Sequence, residues 1–254
     1  LSAGVAHEIN TPLGIILGYA QMLLEDLPHD EESHEFLEII EKQVQICRRI
    51  VADLLSFSRV GEGRKEILDV NQSIEEVVNL VEHIFQQHWL SIDTALAPDL
   101  PFVRGDKDKL QQVWLNLLNN ASQAIGQEGT IWVTSHLCHT GDHVLVTVAD
   151  SGPGITPQDM KKIFDPFFST KAPGVGTGLG LSVSYGIIKE HQGKILAKSP
   201  VVPGSPGRPE AGAKSPGPGA LFLVKLPLDW ENPVEDACEE VFLLQEPEKI
   251  SMTG

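Results

Sequence analysis

Positive charge is scarce in this 254-residue chain: 19 Lys and Arg stand against 35 Asp and Glu, a formal net charge of −16. Nucleic-acid backbones are held by clustered Lys and Arg. No basic run occurs here, which argues against a nucleic-acid partner. Aromatic residues reach only 6%. The cysteines, Cys47, Cys138 and Cys238, are far apart and form no CxxC pair, and such an odd, scattered count favours a reducing compartment. No apolar run approaches the roughly 20 residues that span a bilayer. The chain opens at Leu1 without methionine or signal peptide, and so reads as a piece of a longer protein. Any membrane anchor would belong to a missing N-terminal region, and this piece is expected in the cytoplasm.

What is present is a 41% hydrophobic content, enough for the cores of one or two domains. Residues 3 to 27 read as a helix, with Pro12 as a kink because it removes a backbone donor. A second helix runs from about Glu31 to Arg59. Phe36, Ile40, Gln43, Cys47, Ile50, Leu54 and Phe57 form one stripe on it, and Leu37, Val44 and Val51 a neighbouring row. That is a bundle period. Two helices joined by the short turn "LPHDEES" make a hairpin with an exposed apolar face, which a second copy would cover as a four-helix bundle.

The pattern changes after the linker "RVGEGRKE". "EILDV" reads as a strand, with Asn71 able to cap a helix through about Gln87. "WLSIDTAL" alternates like a strand. A strong helix follows, with Asp106 as its N-cap. "TIWVTSHL" and "HVLVTVAD" flank "HTGD" as a hairpin. A helix near Leu179 to His191 precedes a final strand pair, "KILAKS" and "ALFLVKL". The Pro/Gly-rich stretch between them, residues 200–219, reads as a disordered insertion. The acidic segment 229–254 has no assigned role.

Several short stretches carry chemistry. In "NLLNNA", Asn116 and Asn120 lie four apart and share a helix face. Their amide oxygens suit Mg²⁺, though two solvated asparagines would look the same. "DSGPGI" places Asp150 at a strand end, where a carboxylate can accept from an exocyclic amine. Gly152 and Gly154 let the backbone approach a flat ring or a phosphate. In "GVGTGLGL", Gly176, Gly178 and Gly180, with Thr177 and Leu179 between them, open a helix whose N-terminus favours anions. No GK[ST] follows, and no βαβ unit with a downstream acid is evident, so neither a Walker A loop nor a dinucleotide fingerprint is present. Between the two Gly boxes, "IFDPFFSTK" offers three phenylalanines to anchor a lid and Lys171 to meet a phosphate. His136, Cys138, His139 and His143 crowd a hairpin, but strand alternation separates His136 from His139, which weakens a zinc reading.

Taken in order, with "AHEINTPLG" upstream, these boxes resemble the nucleotide-binding signature of the GHKL ATPase superfamily, and specifically the bacterial two-component sensor histidine kinases. The resemblance covers roughly residues 1 to 228. It implies an α+β protein: an N-terminal dimerisation hairpin (residues 1–61), then an α/β-sandwich ATP-binding domain of the Bergerat type (residues 64–228) whose mixed sheet packs its helices on one face. It implies that His7 is phosphorylated from Mg-ATP with Glu8 as general base, and that the phosphoryl group passes to an aspartate of a response regulator. Thr11 would position a water for the reverse, phosphatase reaction, with Asn10 a polar neighbour. Asn116 and Asn120 would hold Mg²⁺. Asp150 would bind the adenine amino group, Gly152 and Gly154 would admit the base, and the Gly176–Gly180 box would shape the lid end and contact phosphates. Gln123 stands where many members carry a basic residue, and the first helix begins later than family bundles do. A phosphatase-dominant regulator and a non-catalytic ATP-binding dimer are the rival functions.

Overall fold

The computed structural model describes residues 13–23, 35–42, 44, 47, 65–171, 177–201 and 218–228. The chain divides into two compact units, Leu1–Gly63 with Thr156–Gly186, and Arg64–Ile155 with Ile187–Gly254.

In the first unit, residues 13–23 (α1) and 35–42 (α2) are helical, and Gln21 Nε2 donates to Glu41 Oε1 at 2.8 Å between them. Leu17 and Ala20 are buried on α1. Leu37 and Val44, seven apart, are buried in the second helical segment, so the secondary row packs inward. The stripe read as the main one behaves differently: Phe36 is 56% exposed and Ile40 41%, and Cys47 is an exposed free thiol. Two helices have too little facing surface to bury both rows. The rest of each predicted helix lies outside the described residues, Pro12 included. The same unit holds a short helix that the sequence reading missed, α5 (Pro157–Met160), started by Thr156, whose side chain accepts from the Asp159 N–H. The division between the units falls within α6 (Gly180–Glu190).

The second unit is built on a five-stranded sheet. Its elements are β1 (Glu66–Leu68), α3 (Val70–Gln86), β2 (Leu90–Leu96), β3 (Val103–Gly105), α4 (Lys107–Ile125), β4 (Gly129–Leu137), β5 (His143–Asp150), β6 (Lys194–Lys198) and β7 (Leu221–Pro227). The strand order is β2-β4-β5-β7-β6, with β2 and β4 parallel and the other neighbours antiparallel. β1 and β3 pair separately as a small antiparallel ribbon.

Local signals explain the starts of the long helices. Asp69 accepts from Gln72 N at 3.2 Å and Asp106 from Lys109 N at 3.1 Å, each satisfying an otherwise orphaned first-turn donor. The cap of α3 is therefore Asp69 and not Asn71. Asn71 is drawn instead into tertiary bonds, donating to the Ala97 carbonyl at 2.8 Å and accepting from Ser135 Oγ at 2.6 Å. α3 buries Ile74, Val77, Val81 and Phe85, and α4 buries Leu110, Val113, Leu117 and Leu118, at the 3–4 spacing of one helix face. The Trp114 indole N–H donates to Ser73 Oγ at 3.0 Å, pinning α4 to α3. His191 ties the end of α6 to the start of α4. Its Nε2 accepts from the Asp106 N–H at 2.9 Å while Nδ1 donates to the Ile187 carbonyl at 2.8 Å. That pair of bonds requires the neutral imidazole, and burial pushes its pKa below the usual histidine range.

The final strands close the sheet at the ends of the predicted insertion. Val201 N donates to the Pro218 carbonyl at 2.8 Å and Gly219 N to the Gly152 carbonyl at 2.9 Å. The remainder of that stretch, residues 202–217, lies outside the described residues. Cys138 is disulfide-bonded, which leaves it no thiolate for a metal. Among the described residues no group of three or more His, Cys, Asp or Glu is placed to hold a metal, so the zinc reading finds no support there. No helix among the described residues is long and apolar enough to cross a membrane.

Candidate functional site

In the second unit, the site residues gather around the end of β5. β5 is buried along its whole length and delivers Asp150 at its C-terminal end, 2% exposed. Asp150 Oδ1 accepts from the Gly152 N–H at 2.8 Å and from the Ala220 N–H at 3.3 Å. A carboxylate fixed by backbone donors on one oxygen has a set orientation before any ligand arrives. Ser151 is locked to the neighbouring strand, its hydroxyl accepting from Thr130 N at 3.0 Å and its N–H donating to the Thr130 carbonyl at 3.1 Å.

The glycines after Asp150 are required by closeness. A Cβ on Gly152 would stand 2.9 Å from Asp150 Oδ1 and 3.2 Å from the Ala124 carbonyl carbon, so a side chain there would press on the carboxylate and on α4. Gly154 has φ +79°, and a Cβ there would stand 2.6 Å from Ser199 Oγ and 3.0 Å from the Gly219 oxygen. Ser199 Oγ accepts from Ile155 N at 2.9 Å and donates to the Gly219 carbonyl at 2.8 Å, which completes the seam. Ser151, Ser199 and the Ala220 N–H escaped the sequence reading; their partners lie 20 to 70 positions away, and no local pattern marks them.

On α4, Asn116 and Asn120 sit one helical turn apart, as their spacing implied. Asn120 Nδ2 is buried and has no hydrogen-bond partner among the described residues. A buried, unsatisfied amide costs roughly 1–3 kcal/mol. Its persistence fits a group that gains a partner only with a ligand. The two ends of an amide are told apart by their bonds, so the same position equally suits the oxygen as a ligand to a hard cation.

In the first unit, a separate set of residues surrounds the second glycine box. Thr177 Oγ1 accepts from Leu179 N at 3.4 Å, and Leu179 is 2% exposed. Gly178 has φ +68°, and a Cβ on it would stand 2.4 Å from the Phe167 carbonyl carbon. The Gly178 carbonyl accepts from Phe167 N at 3.0 Å, so the Phe-rich stretch and the glycine box form one knot. Gly180 opens α6, and its carbonyl accepts from Ser184 Oγ at 2.9 Å. Of the three phenylalanines, Phe164 packs on Tyr185 with ring centroids 5.6 Å apart, whereas Phe167 is 66% exposed. Burial lowers the pKa of the Lys171 ammonium, an environment that favours an anionic neighbour. His7, Glu8, Asn10, Thr11 and Gly176 lie outside the described residues.

Comparison with known proteins identifies the family. Residues 105–229 match the family of histidine kinase-, DNA gyrase B- and HSP90-like ATPases, and residues 1–63 match the His Kinase A phospho-acceptor domain. Sensor histidine kinase ZraS of Klebsiella oxytoca is 38% identical over 232 residues, covering 91% of this chain and 46% of that protein. The chain thus spans about half the length of such relatives. Among solved structures, full-length ShkA in complex with AMPPNP superposes with a TM-score of 0.67 at 25% identity, over 89% of this chain and 45% of that one. Histidine kinase ThkA matches as an isolated catalytic domain (31% identity, 65% of this chain, 98% of that chain, TM-score 0.54). It matches again in complex with response regulator protein TrrA (29% identity, 91% of this chain, 61% of that chain, TM-score 0.61). An acceptor-histidine module followed by an ATP-binding module, together with sensor-kinase relatives along most of the chain, leaves one assignment: the chain belongs to the two-component sensor histidine kinases.

Proposed function

We propose that this chain is the kinase core that phosphorylates its own His7 from Mg-ATP and passes the phosphoryl group to an aspartate of a response regulator. The observation that carries the reading is Asp150, buried at 2% exposure and held by the Gly152 and Ala220 N–H groups, beside two glycines where a Cβ would crowd its neighbours. A preset carboxylate behind bare backbone suits the exocyclic amine and flat face of adenine.

The roles of the other residues follow the chemistry. The neutral His7 imidazole attacks the γ-phosphorus; a nitrogen–phosphorus bond forms, the bond to the ADP oxygen breaks, and Glu8 takes the proton from the other ring nitrogen. Asn116 and Asn120 would hold Mg²⁺, which neutralises charge on the phosphates. Lys171 and the Gly176–Gly180 box, with Thr177, Gly178 and Leu179, would contact phosphates and shape the lid end. Phosphoryl transfer of this kind is mainly positioning and charge neutralisation, which matches a site built from fixed amides.

The domain limits proposed are a hairpin over residues 1–61 that dimerises, a catalytic domain over residues 64–228, and a tail from residue 229. The exposed Phe36, Ile40, Ile15 and Tyr19 supply the apolar surface for a second copy. A cytoplasmic place, with any membrane anchor further N-terminal, completes the proposal.

The test is incubation with γ-labelled ATP and Mg²⁺, comparing the chain with His7→Gln. Acid-labile label on the parent alone is expected. Nucleotide binding without label would overturn the kinase reading in favour of an ATP-binding scaffold. The Glu8-x-x-Thr11 pattern supports an added phosphatase activity, which would appear as loss of a phosphorylated partner only when this chain is present and which Thr11→Ala would abolish.

A further inference from the structure

Three cross-links hold the start of α4, all within the second unit. On the α3 side, Lys107 Nζ pairs with Glu76 Oε1 at 2.8 Å. On the α6 side, Lys109 Nζ meets both carboxylate oxygens of Glu190, at 2.7 and 2.9 Å. The third is the Asp106 N–H, accepted by His191 Nε2 at 2.9 Å. Lysine ammoniums and paired carboxylates keep their charges from about pH 5 to 8. The imidazole does not, and so the third cross-link is the one that a proton can break in that range.

The break has a defined atom. Nδ1 of His191 donates to the Ile187 carbonyl at 2.8 Å, which leaves Nε2 as the acceptor for Asp106. A proton added at Nε2 turns that acceptor into a donor, and two N–H groups then face each other. The ring has no room to turn aside. It is 2% exposed, and a Cβ on Gly105 would stand 2.7 Å from its Cδ2 and 2.9 Å from its Nε2. Protonation therefore pushes the β3–α4 junction away or drives the ring out. The charges around it are mixed: Glu190 and Asp106 favour an imidazolium and Lys65 opposes it. Both oxygens of Glu190 are already engaged by Lys109, and Asp106 Oδ1 caps the Lys109 N–H. Burial outweighs the attraction and keeps the ring neutral at neutral pH.

We propose that His191 is a positioning residue whose proton gates the nucleotide site: the neutral ring holds the start of α4, and with it the Asn116–Asn120 pair, and the protonated ring releases Asp106 and loosens the site. The inference rests on the nucleotide reading of that pair. Asn116 and Asn120 ride on the same unbroken helix, Lys107–Ile125, so a shift at its first turn reaches them. Misplacement of about 1 Å is costly in chemistry that works by positioning. The gate holds at and above neutral pH and opens as the solution turns acid.

The test is calorimetric titration of the full chain with Mg-ADP at about pH 7.5 and about pH 5, on either side of the ordinary histidine pKa. Binding is read in place of label incorporation because His7 titrates in the same range. The parent should lose roughly five-fold or more of its affinity in acid. His191→Gln, whose amide oxygen can accept from Asp106 at any pH, should lose no more than the nucleotide's own protonation costs. His191→Leu should bind weakly at both values. Equal losses in parent and His191→Gln would overturn the gate and leave the nucleotide site standing. No binding by the parent at about pH 7.5 would overturn both. Should His191→Gln fail to fold, the parent decides alone by amide exchange: protection of the Asp106 N–H should fall in acid, and Mg-ADP should move that fall to lower pH, as reciprocity demands. An Asp106 N–H equally protected across the range would overturn the proposal.

Discussion

The loop after β5 and the glycine box before α6 are both built on glycine, yet they are held in different ways. Asp150 is fixed from afar: its oxygen accepts from Ala220, 70 positions on, and the loop behind it is stitched to Thr130, Ser199 and Gly219. Gly178 is fixed from close by, through Phe167 eleven positions earlier and through the first turn of α6. The first arrangement cannot shift without disturbing three strands. The second is held by short-range contacts, among them the Phe167–Gly178 backbone bond, the Thr177–Leu179 bond and the close approach of Gly178 to Phe167. A rigid seat suits a constant group such as a purine. A locally knotted segment suits contacts that form and break as a phosphoryl group leaves.

Substitutions can break this comparison. Asp150→Asn keeps the shape and removes the charge, so the fold should survive with unchanged circular dichroism. Nucleotide affinity should fall about 10–100-fold, the worth of a charged hydrogen bond, which titration calorimetry would read. A loss of folded protein instead would mean that the Asp150 loop is structural. Gly178→Ala puts a Cβ 2.4 Å from the Phe167 carbonyl carbon at a positive φ. It should cost about 1–3 kcal/mol of local strain and weaken nucleotide binding by roughly 5–100-fold, with thermal unfolding of the rest little changed. Equal damage from Gly178→Ala to the whole fold would erase the distinction between a local knot and a global seam.

His191 tests the global side by pH. Its folded pKa is depressed by burial, while the unfolded chain takes up a proton near the ordinary value of about 6.5. Its contribution is therefore fully present above about 6.5 and is lost as pH falls through that value toward the lower folded pKa. Denaturant midpoints should drop as the pH falls below about 6.5, and His191→Gln should flatten that part of the curve. A parent whose stability is flat there would refute the neutral, doubly bonded imidazole. The smallest effect is expected at Asn120. Replacing it with Leu removes the orphaned buried amide, so unfolding without nucleotide should become about 1 kcal/mol harder, while the Mg-nucleotide complex should lose its added stability. A destabilised Asn120→Leu would show that the amide serves the fold and not a ligand.

Much of the second unit was legible in residues alone. The Asp106 cap, the hairpin around "HTGD", the helix ended near His191 and the closing strand pair all follow from short-range rules, because caps, turns and periodicities are local. The missed pieces had no such signature. β3 is three residues long, α5 is four, and the capping role passed from Asn71 to Asp69 because Asn71 found partners at Ala97 and Ser135. In the first unit the predicted stripe through Phe36 and Ile40 lies outward and the Leu37–Val44 row inward. Periodicity names the apolar rows of a helix but not which one its neighbour will meet.

By itself, the sequence determined the family, the order of the modules and the residue types at the site, since "HEINTPL", "NLLNNA", "DSGPGI" and "GVGTGLGL" are contiguous words whose meaning survives without coordinates. Only the tertiary structure decided what holds Asp150 in place, which glycines are compelled by contact, and how His191 is kept neutral. Each of these depends on groups brought together from positions far apart in the chain. Chain folding creates such contacts, and no local pattern encodes them.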